Sequence, residues 1–139
     1  MTRFVLDASV VLGWIVDSPV PPYAVRVKQE LVNGASASVP ALWHLEVANG
    51  LVMAERRHML TANEVDAAIL LLEQLATQAL ETEGDILPLR SAFALARMYV
   101  LSAYDGVYLE LAGRLRLPLA TLDHALRAAA GKAGIELFR

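Results

Sequence analysis

Four carboxylic acids occupy places where an alternating strand and helix chain puts its chemistry. Asp7 follows the apolar run Phe4-Val5-Leu6, and Asp123 follows Leu119 to Leu122. Glu46 lies in the first turns of a helical stretch opened by Pro40, and Asp105 lies in the first turn after Ser102. Four ionised carboxylates brought within a few ångströms cannot coexist unpaired, because one or more would take up a proton. No Lys or Arg flanks any of them in the sequence. A hard divalent cation such as Mg²⁺ or Mn²⁺ resolves the conflict, since it prefers carboxylate oxygens and keeps several waters. Such an ion lowers the pKa of bound water and polarises a phosphoryl oxygen.

Each acid also has a plainer reading. Asp123 can serve as a helix N-cap. Asp105 can close the capping box Ser102-x-x-Asp105. Glu46 can be a solvated helix residue, the usual fate of Glu, although Leu45 and Val47 flank it. Asp7 is harder to explain away. A carboxylate directly after an all-apolar strand is partly buried, and buried charges are paired or bind metal.

The elements that must position these acids can be read from pattern. Phe4 to Leu6 reads as a buried parallel strand. Ser9 to Val16 is a short helix closed by Asp17-Ser18-Pro19, and Pro21-Pro22 starts a second one that runs to about Val32 and stops at Asn33-Gly34. Ala37 to Val39 is a second strand. The helix after Pro40 carries Leu42, Leu45, Ala48 and Val52 on one face and ends at Arg56-Arg57-His58, with positive charge at the negative end of its dipole. Thr61-Ala62-Asn63-Glu64 is a capping box, and the helix behind it has Val65, Ala68/Ile69, Leu72 and Leu75/Ala76 as its apolar stripe. Ala79 to Glu83 is a third strand. Ile86-Leu87-Pro88 leads into a helix through Phe93, Ala96 and Val100, and Ser102 caps the next, which holds Val107, Tyr108, Leu111 and Leu115. Leu117 to Leu122 is a strand, Asp123 caps an Ala-rich helix ending at Gly131 or Gly134, and Ile135 to Phe138 is a last strand. Strand and helix alternate throughout, so residues 1–139 form one α/β domain with a mostly parallel sheet and helices on both faces. In such sheets ligand sites lie beyond the carboxyl ends of the strands, and helix starts that follow strands point at that same edge. The four acids therefore converge on one cleft.

Composition narrows the function classes. The chain has 139 residues, of which 56% are hydrophobic and 19% charged, which excludes a disordered segment. It has no Cys, which removes disulfide scaffolds, thiolate zinc sites and cysteine nucleophiles. The net charge is −3, so a general basic coat for nucleic acid is absent. Setting the four acids aside leaves 12 bases against 11 acids, a near-neutral remainder that a metal-filled site would no longer set against phosphate. The longest apolar stretches, such as Val10 to Val16, fall short of the roughly 20 residues that cross a membrane, and Asp7 interrupts the apolar run a signal peptide would need. The expected compartment is the cytoplasm. A mean hydropathy of +0.44 leaves apolar surface for an oligomer or a bound partner.

Phe4-Val5-Leu6-Asp7-Ala8-Ser9, Glu46 on the third helix, Leu101-Ser102-Ala103-Tyr104-Asp105 leading into Tyr108-Leu109-x-Leu111-Ala112, and Leu119-Ala120-Thr121-Leu122-Asp123 together resemble the PIN domain. Within it, the likeness is greatest to the VapC-like toxins of bacterial type II toxin–antitoxin modules, and it covers essentially the whole chain in length, motif order and spacing. The resemblance implies an endoribonuclease that depends on one or two Mg²⁺ or Mn²⁺ ions, cuts single-stranded or looped RNA, and is held inactive by a cognate antitoxin. It implies that Asp7, Glu46, Asp105 and Asp123 bind the metal, that the Ser9 hydroxyl supports Asp7, and that Thr121 lines the same site. It also implies an apolar groove filled by an antitoxin helix, and a homodimer face. The sequence departs from the pattern at Gly106, where Ala is common, and at His124, where a basic residue is common.

Other residues invite weaker functional readings. His44, His58 and His124 do not form a zinc pattern. Trp14 and Trp43 suit core or interface, as do Tyr104 and Tyr108, which are four apart and share a helix face. Among Arg90, Arg97, Arg114 and Arg116, Arg97 is the candidate for contacting RNA phosphate, against the alternative of a solvated helix residue. A non-catalytic PIN-like module that binds RNA or protein without cutting is the main competing function. A phosphoacceptor receiver domain would need a Lys after a late strand, whereas the two lysines are Lys28 and Lys132. A dinucleotide-binding fold would need Gly-x-Gly-x-x-Gly after the first strand, which is absent.

Overall fold

The computed structural model describes residues 1–84 and 89–139. Ile86-Leu87-Pro88, expected to lead into a helix, lies outside the described residues. Four strands are ordered β3-β2-β1-β4: β1 is Arg3–Leu6, β2 Ser36–Pro40, β3 Leu80–Glu83 and β4 Leu119–Ala120. All three pairings are parallel, with Phe4 beside Ala37, Leu6 beside Ala120 and Ser38 beside Glu81. Parallel neighbours need helical crossovers. Pairs of helices supply them: α1 (Ala8–Ile15) with α2 (Pro22–Val32), α3 (Leu42–Arg56) with α4 (Ala62–Ala79), and α5 (Leu89–Tyr99) with α6 (Ala103–Leu115); α7 (His124–Lys132) follows β4.

The core centres on β1, where Phe4, Val5 and Leu6 are fully buried. A strand covered on both faces reads as a continuous apolar run rather than an alternation. Asp7 emerges at the carboxyl end of this interior strand and is itself 5% exposed. Local signals hold as read at most helix starts. Pro22 opens α2, and Thr61 and Glu64 form a complete reciprocal capping box at α4.

Three expectations are corrected. On α3 the buried stripe is Trp43, Val47, Leu51 and Ala54, whereas Leu45 is 75% exposed and Val52 and Ala48 also face solvent. Residues 42–54 are apolar around most of the helix, so periodicity alone did not select a face; the buried one carries the large Trp43 ring. The strand expected at Leu117 to Leu122 is only Leu119–Ala120. Beyond Ala120 the ladder gives way to hydroxyls, because Ser9 Oγ accepts from the Leu122 amide at 3.0 Å and Thr121 Oγ1 accepts from the Asp123 amide at 3.0 Å. The last strand, expected at Ile135 to Phe138, is reduced to one parallel bridge between Leu119 and Leu137.

Helix α6 packs along α5 and lies on β1, β2 and β4. Its close approach to α5 depends on Gly106, where an added Cβ would meet the Ala92 carbonyl oxygen at 2.6 Å. Gly106 therefore lets backbone approach backbone, which is a positive role at a position where the sequence departs from the family pattern.

Candidate active site

The site is assembled at the carboxyl edge of the sheet. Asp7 follows β1 and is the N-cap residue of α1. Thr121, which is fully buried, follows β4. Both Ser9 and Thr121 donate a hydroxyl to the same Asp7 oxygen, Oδ2, at 2.5 and 2.7 Å. The two hydroxyl oxygens are 3.3 Å apart. Thr121 is thus a hinge in the network: its oxygen gives its proton to Asp7 and accepts the Asp123 amide. Residues 112 and 114 positions apart in the chain meet here because β1 and β4 are sheet neighbours.

Asp123 realises its capping role. Its Oδ1 accepts the Leu126 amide at 2.8 Å at the start of α7, while the side chain stays at the solvent edge. Asp105 sits in the first turn of α6, where its amide donates to Ser102 Oγ at 3.1 Å. Among the described residues the return bond that would complete a capping box is not formed, so the Asp105 carboxylate is not spent on the cap. Glu46 reaches from α3, and Tyr108 of α6 donates its hydroxyl to Glu46 Oε1 at 2.6 Å.

Electrostatics tie the acids together. Burial raises the Asp7 carboxyl, the Ser9 and Thr121 hydrogen bonds oppose that rise, and the Asp123 charge adds to it. Asp105 is pushed up from its ordinary 3.8 to about 6, first by burial and then by the charges of Asp123 and Asp7. Glu46 is also raised, again by burial first; the Tyr108 hydrogen bond lowers it, and Asp7 and Asp105 raise it. Asp7, Glu46 and Asp105 therefore each feel at least one other acid. Among the described residues no three His, Asp or Glu side chains stand ready-assembled as a metal-binding group. Like charges in a partly desolvated pocket repel. The donor set is carboxylate oxygen with neighbouring hydroxyls, the kind a hard divalent cation takes.

Of the residues named from the sequence, Asp7, Ser9 and Thr121 are joined directly by hydrogen bonds that extend to the Asp123 amide, while Glu46 and Asp105 are linked to Asp7 through charge. Arg97 lies in the last turn of α5 with its guanidinium 4.4 Å from the Phe93 ring centroid. Arg114 pairs with Glu110 at 2.7 Å. The two tyrosines part company. Tyr108 is fully buried against the site, whereas Tyr104 is 66% exposed, because burial along α6 begins only at Gly106. Two polar contributors escaped the sequence reading. One is the Tyr108 hydroxyl, whose partner is 62 residues away. The other is Arg127, whose Nη1 donates to the Thr121 carbonyl at 2.7 Å; a basic residue four places after a helix-capping Asp was the available signal.

No family model and no curated protein sequence matches the chain. Solved structures do. PAE2754 from Pyrobaculum aerophilum superposes with a TM-score of 0.71 at 20% identity, covering 92% of this chain and 79% of that one. FitAcB from Neisseria gonorrhoeae superposes with a TM-score of 0.61 at 21% identity, covering 100% of this chain and 97% of that one. At such identities the likeness is one of fold. Among the described residues no helix is long and apolar enough to cross a membrane. The chain folds as a single α/β domain with an all-parallel four-stranded sheet, a PIN-like fold.

Proposed function

We propose that this chain is a divalent-metal-dependent endoribonuclease, the toxin component of a toxin–antitoxin pair. The observation that supports this reading most is that acids from distant segments reach one sheet edge: the Asp123 charge adds to the rise of Asp7, and the charges of Asp123 and Asp7 add to the rise of Asp105. Asp7, Asp105 and Asp123 would hold one or two Mg²⁺ or Mn²⁺ ions, with Glu46 as a further ligand or as an orienter of water. A divalent ion there supplies charge stabilisation at a phosphoryl oxygen and a more acidic water. Ser9 and Thr121 occupy one oxygen of Asp7 and so fix its carboxylate plane. Tyr108 does the same for Glu46. Arg97 is proposed to meet RNA phosphate at the flank of the site.

The partners follow from surface chemistry. Between α3 and α4 runs an apolar groove lined by Trp43, Val47, Leu51, Ile69, Leu72 and Ala76, suited to the amphipathic helix of an antitoxin. Helix α5 leaves Leu89 and Phe93 exposed one turn apart, an apolar patch that a second copy would cover. The cytoplasm, where RNA substrate is found, is the proposed compartment.

Cleavage of an end-labelled cellular RNA pool with Mg²⁺, Mn²⁺ or EDTA, comparing the parent with Asp105→Asn, tests the activity. Discrete metal-dependent cuts, lost in the variant, are expected. Absence of cutting by folded, partner-free protein in either metal would overturn the nuclease reading in favour of a non-catalytic RNA- or protein-binding module.

A further inference from the structure

A group of the opposite sign adjoins the acids. Tyr23, in the first turn of α2, is half-buried and donates its hydroxyl to the Phe138 carbonyl at 2.6 Å. Two guanidiniums lie against its ring: that of Arg127 from α7, 5.0 Å from the ring centroid, and that of Arg26, 5.5 Å away. Arg127 also donates to the Thr121 carbonyl. That carbonyl belongs to the residue whose hydroxyl grips Asp7, two positions before Asp123. The cationic stack is therefore tied to the acidic edge through the Thr121 backbone.

Two like charges sharing one ring call for an anion. Among the described residues the ion pairs are Arg3–Glu81 and Arg114–Glu110, so neither Arg26 nor Arg127 has a carboxylate partner there. The Thr121 carbonyl is neutral and takes one of the five N–H donors of Arg127. Arg26 is exposed. Guanidinium forks match the oxygens of a phosphodiester, and stacking on an aromatic face holds them in place. A polyanion approaching four carboxylates also needs a compensating positive contact close by.

We propose that Arg26 and Arg127, braced by Tyr23, form a subsite for a backbone phosphate of the RNA substrate. This rests on the ribonuclease reading and adds to it a grip on the strand that is independent of base sequence. Arg127 links the two sites physically, because one end of its guanidinium holds the loop that carries Thr121 and Asp123.

The test is binding of a fluorescent single-stranded RNA of mixed sequence, followed by anisotropy across a salt series. It compares Asp105→Asn alone with the same protein carrying Arg26→Ala or Arg127→Gln. Arg26 is exposed, and Arg127→Gln gives up one hydrogen bond to the Thr121 carbonyl, so circular dichroism should show both folded. Each variant is expected to bind several-fold more weakly, with a log–log salt slope shallower by about 0.7 for each phosphate no longer neutralised. In the otherwise unaltered protein, Arg26→Ala should raise KM for cleavage and spare kcat. Parental affinity and slope in both variants, while the unaltered protein still cuts RNA, would overturn the subsite alone and leave the stack for the carboxylates of a protein partner. A protein that neither binds nor cuts RNA would overturn the subsite and the ribonuclease reading together.

Discussion

Tyr108 of α6 donates its phenolic proton to Glu46 Oε1 of α3 across 2.6 Å, joining two helices on either side of the acidic edge. The ring is fully buried, so the hydroxyl is delivered to Glu46 from inside the core. Hydrogen bonds to charged groups contribute roughly 1.5–3 kcal/mol when both partners are desolvated. Tyr108→Phe keeps the ring and removes only that donor. Chemical denaturation should show a loss of about 1–2 kcal/mol, and RNA cleavage should fall. Unchanged stability and unchanged cleavage would show that Glu46 needs no such positioning.

Thr121, like Ser9, serves a carboxylate and a backbone amide together, donating to Asp7 and accepting from the Asp123 amide, and it is fully buried. Thr121→Val preserves shape but removes one of the two hydroxyl donors to Asp7 and the acceptor of the Asp123 amide. Leaving buried groups unsatisfied costs about 1–3 kcal/mol each. Urea denaturation should give a loss of about 2–4 kcal/mol for Thr121→Val and under about 1 kcal/mol for Thr121→Ser, which retains the hydroxyl. Equal losses in the two variants would mean that packing, not the hydrogen bonds, is what Thr121 supplies.

The raised acids make a pH dependence of definite sign. Asp105 holds its proton up to about 6 in the folded protein against 3.8 ordinarily. Between these values the folded state binds more protons than the unfolded chain, so stability falls as pH rises through that window. Asp7 and Glu46 shift the same way and deepen the loss. In EDTA the melting temperature should therefore be higher near pH 5 than near pH 7.5. Asp105→Asn should flatten the profile and stabilise the metal-free protein at neutral pH by on the order of 2 kcal/mol. A melting temperature that climbs from pH 5 to 7.5 would contradict the convergence of the acids.

Gly106→Ala sets two effects against each other. Helix propensity favours Ala by about 1 kcal/mol. The new Cβ would stand 2.6 Å from the Ala92 carbonyl oxygen, closer than atoms tolerate, and the obstacle is backbone. Steric cost should win, with a net loss of about 1–3 kcal/mol as overpacking typically exacts. A gain in thermal stability would show that α5 moves aside freely.

Much of this protein was legible residue by residue. The apolar run Phe4 to Leu6 ending in Asp7, the capping box at Thr61 and Glu64, and the stop at Asn33-Gly34 are local signals, and local physics decides them. The order of strands and helices follows from such signals, and with it the prediction that acids at strand ends and helix starts share one edge. Which face of α3 is buried was not decided locally, because that helix is apolar in several directions. Only packing beneath it selected Trp43, Val47 and Leu51 over Leu45 and Val52. The length of β4 was likewise set by distant side chains, since the Ser9 and Thr121 hydroxyls take the amides that would have continued the ladder. The second layer of the site is wholly tertiary. Tyr108 on Glu46 and Arg127 on the Thr121 carbonyl are hydrogen bonds whose partners are brought together by sheet order and helix packing, and a linear pattern carries no record of them.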